Sequence, residues 1–164
     1  LSRGLGDVYK RQVRALYRTG FANQPTSLHR DDGLRLHGAY VTAAVRCAPP
    51  QNRPTPAELE NCLPFLVREF VTLPRVRVVV ALGAVAFQAV LKTFAHLGVQ
   101  LPRPRPRFAH GAVYRFAGTV AGRPVPAVLC TYHPSRQNTQ TGKLTARMLE
   151  AVFRKARRLA EEDR

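Results

Sequence analysis

"RVRVVVALGAVAFQAVLKTFAHLG", residues 75–98, decides how this chain folds. Within residues 75–83 the run from Val78 to Leu82 is continuously apolar and rich in Val, which suits a strand covered on both faces. Gly83 then opens a helix through "AVAFQAVLKTFAHLG". A strand, a glycine turn and a helix in that order are the signature of a parallel α/β unit.

The neighbouring segments extend this unit. Thr55, Pro56 and Glu58 form a helix start, with Thr as N-cap, Pro at the first position and Glu three residues after the cap. Cys62, Leu63, Leu66, Val67 and Phe70 then line one face, with Pro64 as a bend. Residues 39–45, "AYVTAAV", read as a short buried strand feeding the proline-stiffened loop "CAPPQNRP". "AVYRFAG" and "RPVPAVLCTYH" read as a hairpin or two neighbouring strands. Thr145 caps a last helix with Leu149, Val152, Phe153, Ala156 and Leu159 inward and Arg154, Lys155, Arg157 and Arg158 outward. "VRALYRTGF" has helical spacing at Val13, Leu16, Tyr17 and Phe21. These elements predict an α/β fold: a three-layer α/β/α sandwich around a short, mostly parallel central sheet.

Composition narrows the function. The chain has 164 residues and is 45% apolar, enough for the core of one domain. Lys and Arg number 26 against 10 Asp and Glu, a net charge of +16. Such an excess predicts a polyanionic partner, nucleic acid ahead of an acidic membrane surface. No run approaches the roughly 18 apolar residues of a spanning helix, and no signal peptide is recognisable. Three cysteines argue against a secreted disulfide scaffold, so the cytoplasm is the expected location. The segment "LSRGLGDVYKRQ" has no clear apolar period. The expectation is that residues 1–12 are a non-native leader and that residues 13–164 form a single domain whose N-terminal part is missing.

Ligands of open parallel sheets bind beyond the carboxyl ends of the strands. Two polar loops are expected there: "CAPPQNRP" after residues 39–45, and "HPSRQNTQTG" after the strand read in residues 125–132. The second is dense in amide, hydroxyl and cationic groups, more than a structural turn needs. It suits a polar, anionic ligand.

The ordered set "YVTAAVRCAPPQNRPTP", "CLPFL", "VVVALG", "RFAHGA" and "TYHPSRQNTQTGKLT" resembles the uracil-DNA glycosylase superfamily, in particular its iron–sulfur branch called family 5. The resemblance covers residues 13–160. It implies an enzyme that flips uracil, and other deaminated bases, out of DNA and hydrolyses the N-glycosidic bond, leaving an abasic site. It assigns His133 to a hydrogen bond with the departing base and Asn52 to base or catalytic contact. Ser135, Arg136, Gln137 and Asn138 are assigned to the DNA backbone and minor groove, with Lys143, Arg147 and the 103–107 arginines as extensions. Each also has a plainer structural use: a strand-end histidine, a turn asparagine, a solvated charged face.

The same resemblance matches Cys47 and Cys62 to two of the four thiolate ligands of a [4Fe–4S] cluster. The other two ligands are expected upstream, as is the acidic water-activating motif that precedes "LYRTGF", so the expectation is that this chain by itself is poor at the water step while His133 still supports base recognition. Asp31 and Asp32 do not match that motif, and Cys130 reads as a buried thiol. The expected partner is uracil-containing DNA, double- or single-stranded, bound by a monomer. The alternative is a non-catalytic basic nucleic-acid-binding domain, which leaves His133 and the cysteine pair without a purpose. A Gly-x-Ser-x-Gly nucleophile elbow and a zinc-deaminase His-x-Glu with Cys-x-x-Cys are both absent from the sequence.

Overall fold

The structure, a computed structural model, describes residues 3–46 and 53–162. Ten elements follow in order: α1 (Arg3–Arg18), α2 (Pro56–Thr72), β1 (Val78–Leu82), α3 (Ala84–His96), β2 (Val113–Tyr114), β3 (Thr119–Val120), β4 (Arg123–Pro124), β5 (Ala127–Thr131), α4 (Arg136–Gln140) and α5 (Ala146–Glu162). The main sheet has the order β1-β5-β2. β5 runs parallel to β1, from Val78 opposite Ala127 to Leu82 opposite Thr131, while β2 adds an antiparallel edge. β3 and β4 make a separate two-stranded hairpin.

Strand alternation distributes the central sheet between two helical layers. Val79, Ala81, Val128 and Cys130 pack with Phe70 of α2 and with Phe87, Val90, Leu91 and Phe94 of α3. Val78, Val80, Leu82 and Leu129 face the other way, toward Leu149, Val152, Phe153 and Leu159 of α5 and Ala15 and Leu16 of α1. Every residue of β5 is buried because both its faces are covered. This is the α/β/α sandwich expected from the sequence, with a mixed, mostly parallel sheet.

Local signals held where they were strong. Thr55 Oγ1 accepts the Glu58 N–H at 3.2 Å and Glu58 Oε2 accepts the Thr55 N–H at 2.7 Å, a complete capping box. Thr145 Oγ1 accepts the Met148 N–H, and the inward set of α5 is buried as its spacing requires. Three readings change. α1 reaches back to Arg3, ten residues before the apolar period that signalled it, and Tyr17 lies on its exposed side. The HPSRQNTQTG segment is not a bare loop but contains the one-and-a-half turns of α4. Residues 39–45 form no strand.

That last segment runs along α2 instead. Tyr40 Oη and Thr42 Oγ1 donate to the Glu69 carboxylate at 2.9 and 2.7 Å, and Arg46 pairs with the same carboxylate. The Arg46 guanidinium also lies 4.9 Å from the Phe65 ring centroid. This run rich in β-formers pairs with no strand, although β1 is an edge strand paired with β5 alone. Side-chain contacts to a helix hold it instead. The loop after it therefore does not follow a strand end, and only the HPSRQNTQTG segment keeps that position.

Candidate active site at the end of the sheet

The site is built where β1 and β5 stop. Gly83 leaves β1 with φ of 96° and donates its N–H to Thr131 O at 2.8 Å. A Cβ on residue 83 would stand 3.0 Å from the Cβ of His133. Glycine is required twice here, by the left-handed backbone and by this close approach. The result seats His133 directly against the strand-to-helix turn.

His133 is exposed at the rim, yet the atoms packed beneath it desolvate the cation and lower its pKa below the ordinary imidazole value. At neutral pH the ring is therefore neutral and offers one N–H donor. The following turn is closed by its own side chains. Ser135 Oγ accepts the Asn138 N–H at 3.2 Å, Asn138 Nδ2 donates to His133 O at 2.9 Å, and Thr139 Oγ1 donates to Ser135 O at 2.9 Å. Buried Pro134 offers its carbonyl to Arg11 Nη1 at 3.1 Å. Ser135 and Asn138 thus shape the turn, while Arg136 and Gln137 are left facing solvent. Lys143 Nζ lies 4.7 Å from the Tyr132 ring centroid, and Arg103, Arg105, Arg107 and Arg147 are also exposed.

One residue beside His133 escaped the sequence reading. His110, from the quoted "RFAHGA", accepts the Tyr132 N–H through Nδ1 at 3.1 Å and lies 3.3 Å from Thr131 Oγ1. Its ring stacks on Tyr132 with centroids 4.7 Å apart and planes at 15°. Desolvation lowers its pKa as well. The motif was noticed, but a pairing across 22 positions has no local signal.

The remaining expected residues divide. Asn52 and Cys47 lie outside the described residues. Cys62 is buried on α2, where its Sγ accepts the Arg46 N–H at 3.5 Å. Cys130 is completely buried inside β5, and burial pushes its thiol up to about 11. It is a core residue, as read from the sequence. Asp32 accepts the Leu28 N–H at 2.6 Å and the Leu34 N–H at 3.0 Å, and these bonds lower its pKa. Asp32 is a turn former. Among the described residues no group of three or more His, Cys, Asp or Glu side chains is placed to hold a metal. Cys62 alone does not make a cluster site.

A sheet-end histidine, a capped cationic turn and a net charge of +16 are features that suit an anionic, polymeric ligand at the carboxyl end of a parallel sheet. The family model of the uracil DNA glycosylase superfamily matches residues 8–157. The chain belongs to that superfamily. Among curated relatives it is 49% identical over 145 residues to the type-5 uracil-DNA glycosylase of Thermus thermophilus, covering 88% of this chain and 61% of that protein. The type-5 enzyme of Mycobacterium bovis is 45% identical over 147 residues, 89% of this chain and 51% of its own length. That of Pyrobaculum aerophilum is 43% identical over 143 residues, 87% and 57%. The chain thus spans between half and three-fifths of the length of these relatives.

Proposed function

We propose that this chain carries the base-excision chemistry of a type-5-like uracil-DNA glycosylase, acting on uracil extruded from DNA. The observation that carries the reading is His133: a neutral imidazole exposed at the end of β5, fixed against Gly83. In hydrolysis of the N-glycosidic bond, the C1′–N electron pair leaves with the base and the sugar becomes oxocarbenium-like. Water then adds hydroxide to C1′, and its proton neutralises the released base. A neutral imidazole N–H aimed at a base oxygen stabilises the departing anion and keeps its own proton. A cationic imidazole would have to be formed against the desolvation that surrounds this ring. Uracil is the assignment that rests on the relatives' names.

In the same reading, Arg136 and Gln137 approach the backbone and the groove left by the flipped nucleotide, with Ser135 and Asn138 holding the turn that presents them. Asn52 is assigned to base contact. Cys47 and Cys62 are assigned as two thiolates of an iron–sulfur cluster. The third cysteine of the chain lies in the core, so a four-thiolate set requires ligands from beyond these three.

The test is single-turnover excision from a uracil-containing duplex, with binding measured on the same oligonucleotide. His133→Ala is expected to reduce the rate about 10²- to 10³-fold with little loss of binding. An unchanged rate overturns the role of His133. Binding without any abasic product, even with the acidic motif expected upstream supplied, assigns the chain instead to non-catalytic DNA binding.

A further inference from the structure

The hydrogen-bond ladder around β5 ends in an unusual way. Gly111 donates to Cys130 O at 2.8 Å and Cys130 donates to Ala112 O at 2.9 Å, continuing the antiparallel pairing past β2. On the other side, the last bond is from Gly83 N–H to Thr131 O. The next β5 amide, that of Tyr132, meets an imidazole nitrogen where a strand would offer a carbonyl. His133 is the following residue. Its backbone direction therefore depends on how firmly the Tyr132 peptide is held.

We infer that His110 is a positioning residue that, through Nδ1, fixes the Tyr132 amide and thereby aims the His133 ring. The inference rests on the base-excision reading of His133. Nδ1 can accept this bond only while it is unprotonated, so the neutral ring carries its hydrogen on Nε2. The ring face meanwhile covers Tyr132. Two functions are thus combined in one side chain, an acceptor and a flat packing surface, and substitutions separate them. His110→Phe keeps the ring and removes the acceptor. His110→Asn keeps an acceptor oxygen at the position of Nδ1 and removes the ring.

If the acceptor positions His133, His110→Phe lowers the single-turnover excision rate at saturating enzyme by about 10-fold or more, because small misplacements of a catalytic group cost rates of that order. Its dissociation constant for DNA stays close to that of the unsubstituted chain. His110→Asn stays within about three-fold in rate by the same reasoning. Amide hydrogen exchange at Tyr132 follows the same ranking, fast in His110→Phe and protected in His110→Asn. The opposite ranking assigns His110 to packing and overturns the inference, as does equal behaviour of the two variants. If the unsubstituted chain releases no uracil, the base-excision reading fails. Tyr132 exchange then still decides whether Nδ1 holds the amide.

Discussion

Two segments lie against the helical layers but are held very differently. The segment from Thr131 to Gly142 issues from a strand buried on both faces. It is closed by hydrogen bonds from or to the Asn138, Ser135, Thr139 and His110 side chains. It also abuts Gly83, where an added Cβ would stand 3.0 Å from the Cβ of His133. Residues 39–46 have no strand behind them, and three of their side chains converge on one carboxylate, that of Glu69. A catalytic group must be held to a fraction of an ångström, which rigid elements do better than side-chain tethers. The contrast locates the precise part of the site at the end of β5.

The largest test of that contrast is Gly83→Ala. The added methyl meets His133 at 3.0 Å from a backbone at φ 96°. A cost of about 2 kcal/mol is expected, lowering Tm by about 4–8 °C for a chain of this size. Thermal unfolding would show it. Excision should fall as well, since His133 is the group displaced. A Tm within 1 °C of the parent would mean that the strand end yields, and the rigidity argument would fail.

Thr55→Ala probes the other region at the start of α2. Loss of the capping box should cost about 1 kcal/mol in denaturant unfolding without altering Tyr132 amide exchange. A change at Tyr132 would show the two regions to be coupled.

Acidification is gentler and acts on the strand end. His110 and His133 both have folded pKa values below 6.5, so the unfolded chain binds protons that the native chain refuses. Stability is independent of these groups above about pH 7.5 and declines as pH falls through 6.5 toward their native values. Replacing both histidines with asparagine should flatten Tm between pH 7.5 and 5. A decline of the same slope in that double variant would assign it to other groups.

Glu69→Gln should have the smallest global effect, within about 1 kcal/mol, as for other partly exposed ion pairs. Its local effect should be specific. Cleavage by trypsin after Arg46 should accelerate while cleavage after Arg136 does not, as read by mass spectrometry. Equal acceleration at both positions would erase the distinction between the regions.

Much of this architecture was legible because it is written locally. The valine run, the glycine turn, the capping box at Thr55 and the inward face of α5 each need only a few consecutive residues. So was the position of the HPSRQNTQTG segment, directly after an apolar strand. The misreading of residues 39–45 has the same origin. Composition says that a segment can be a strand, but tertiary partners decide whether it is, and here Glu69 of α2 gathers its side chains.

Sequence alone thus determined the layered α/β plan, the cationic character and the place of His133, because periodicity, charge and turn chemistry are properties of neighbouring residues. Tertiary structure alone decided that Gly83 braces His133, that His110 holds the Tyr132 amide and that Glu69 gathers Tyr40, Thr42 and Arg46. Each of those contacts joins residues 22 to 50 positions apart, and only the alignment of β1, β5 and the packed helices brings their atoms within reach.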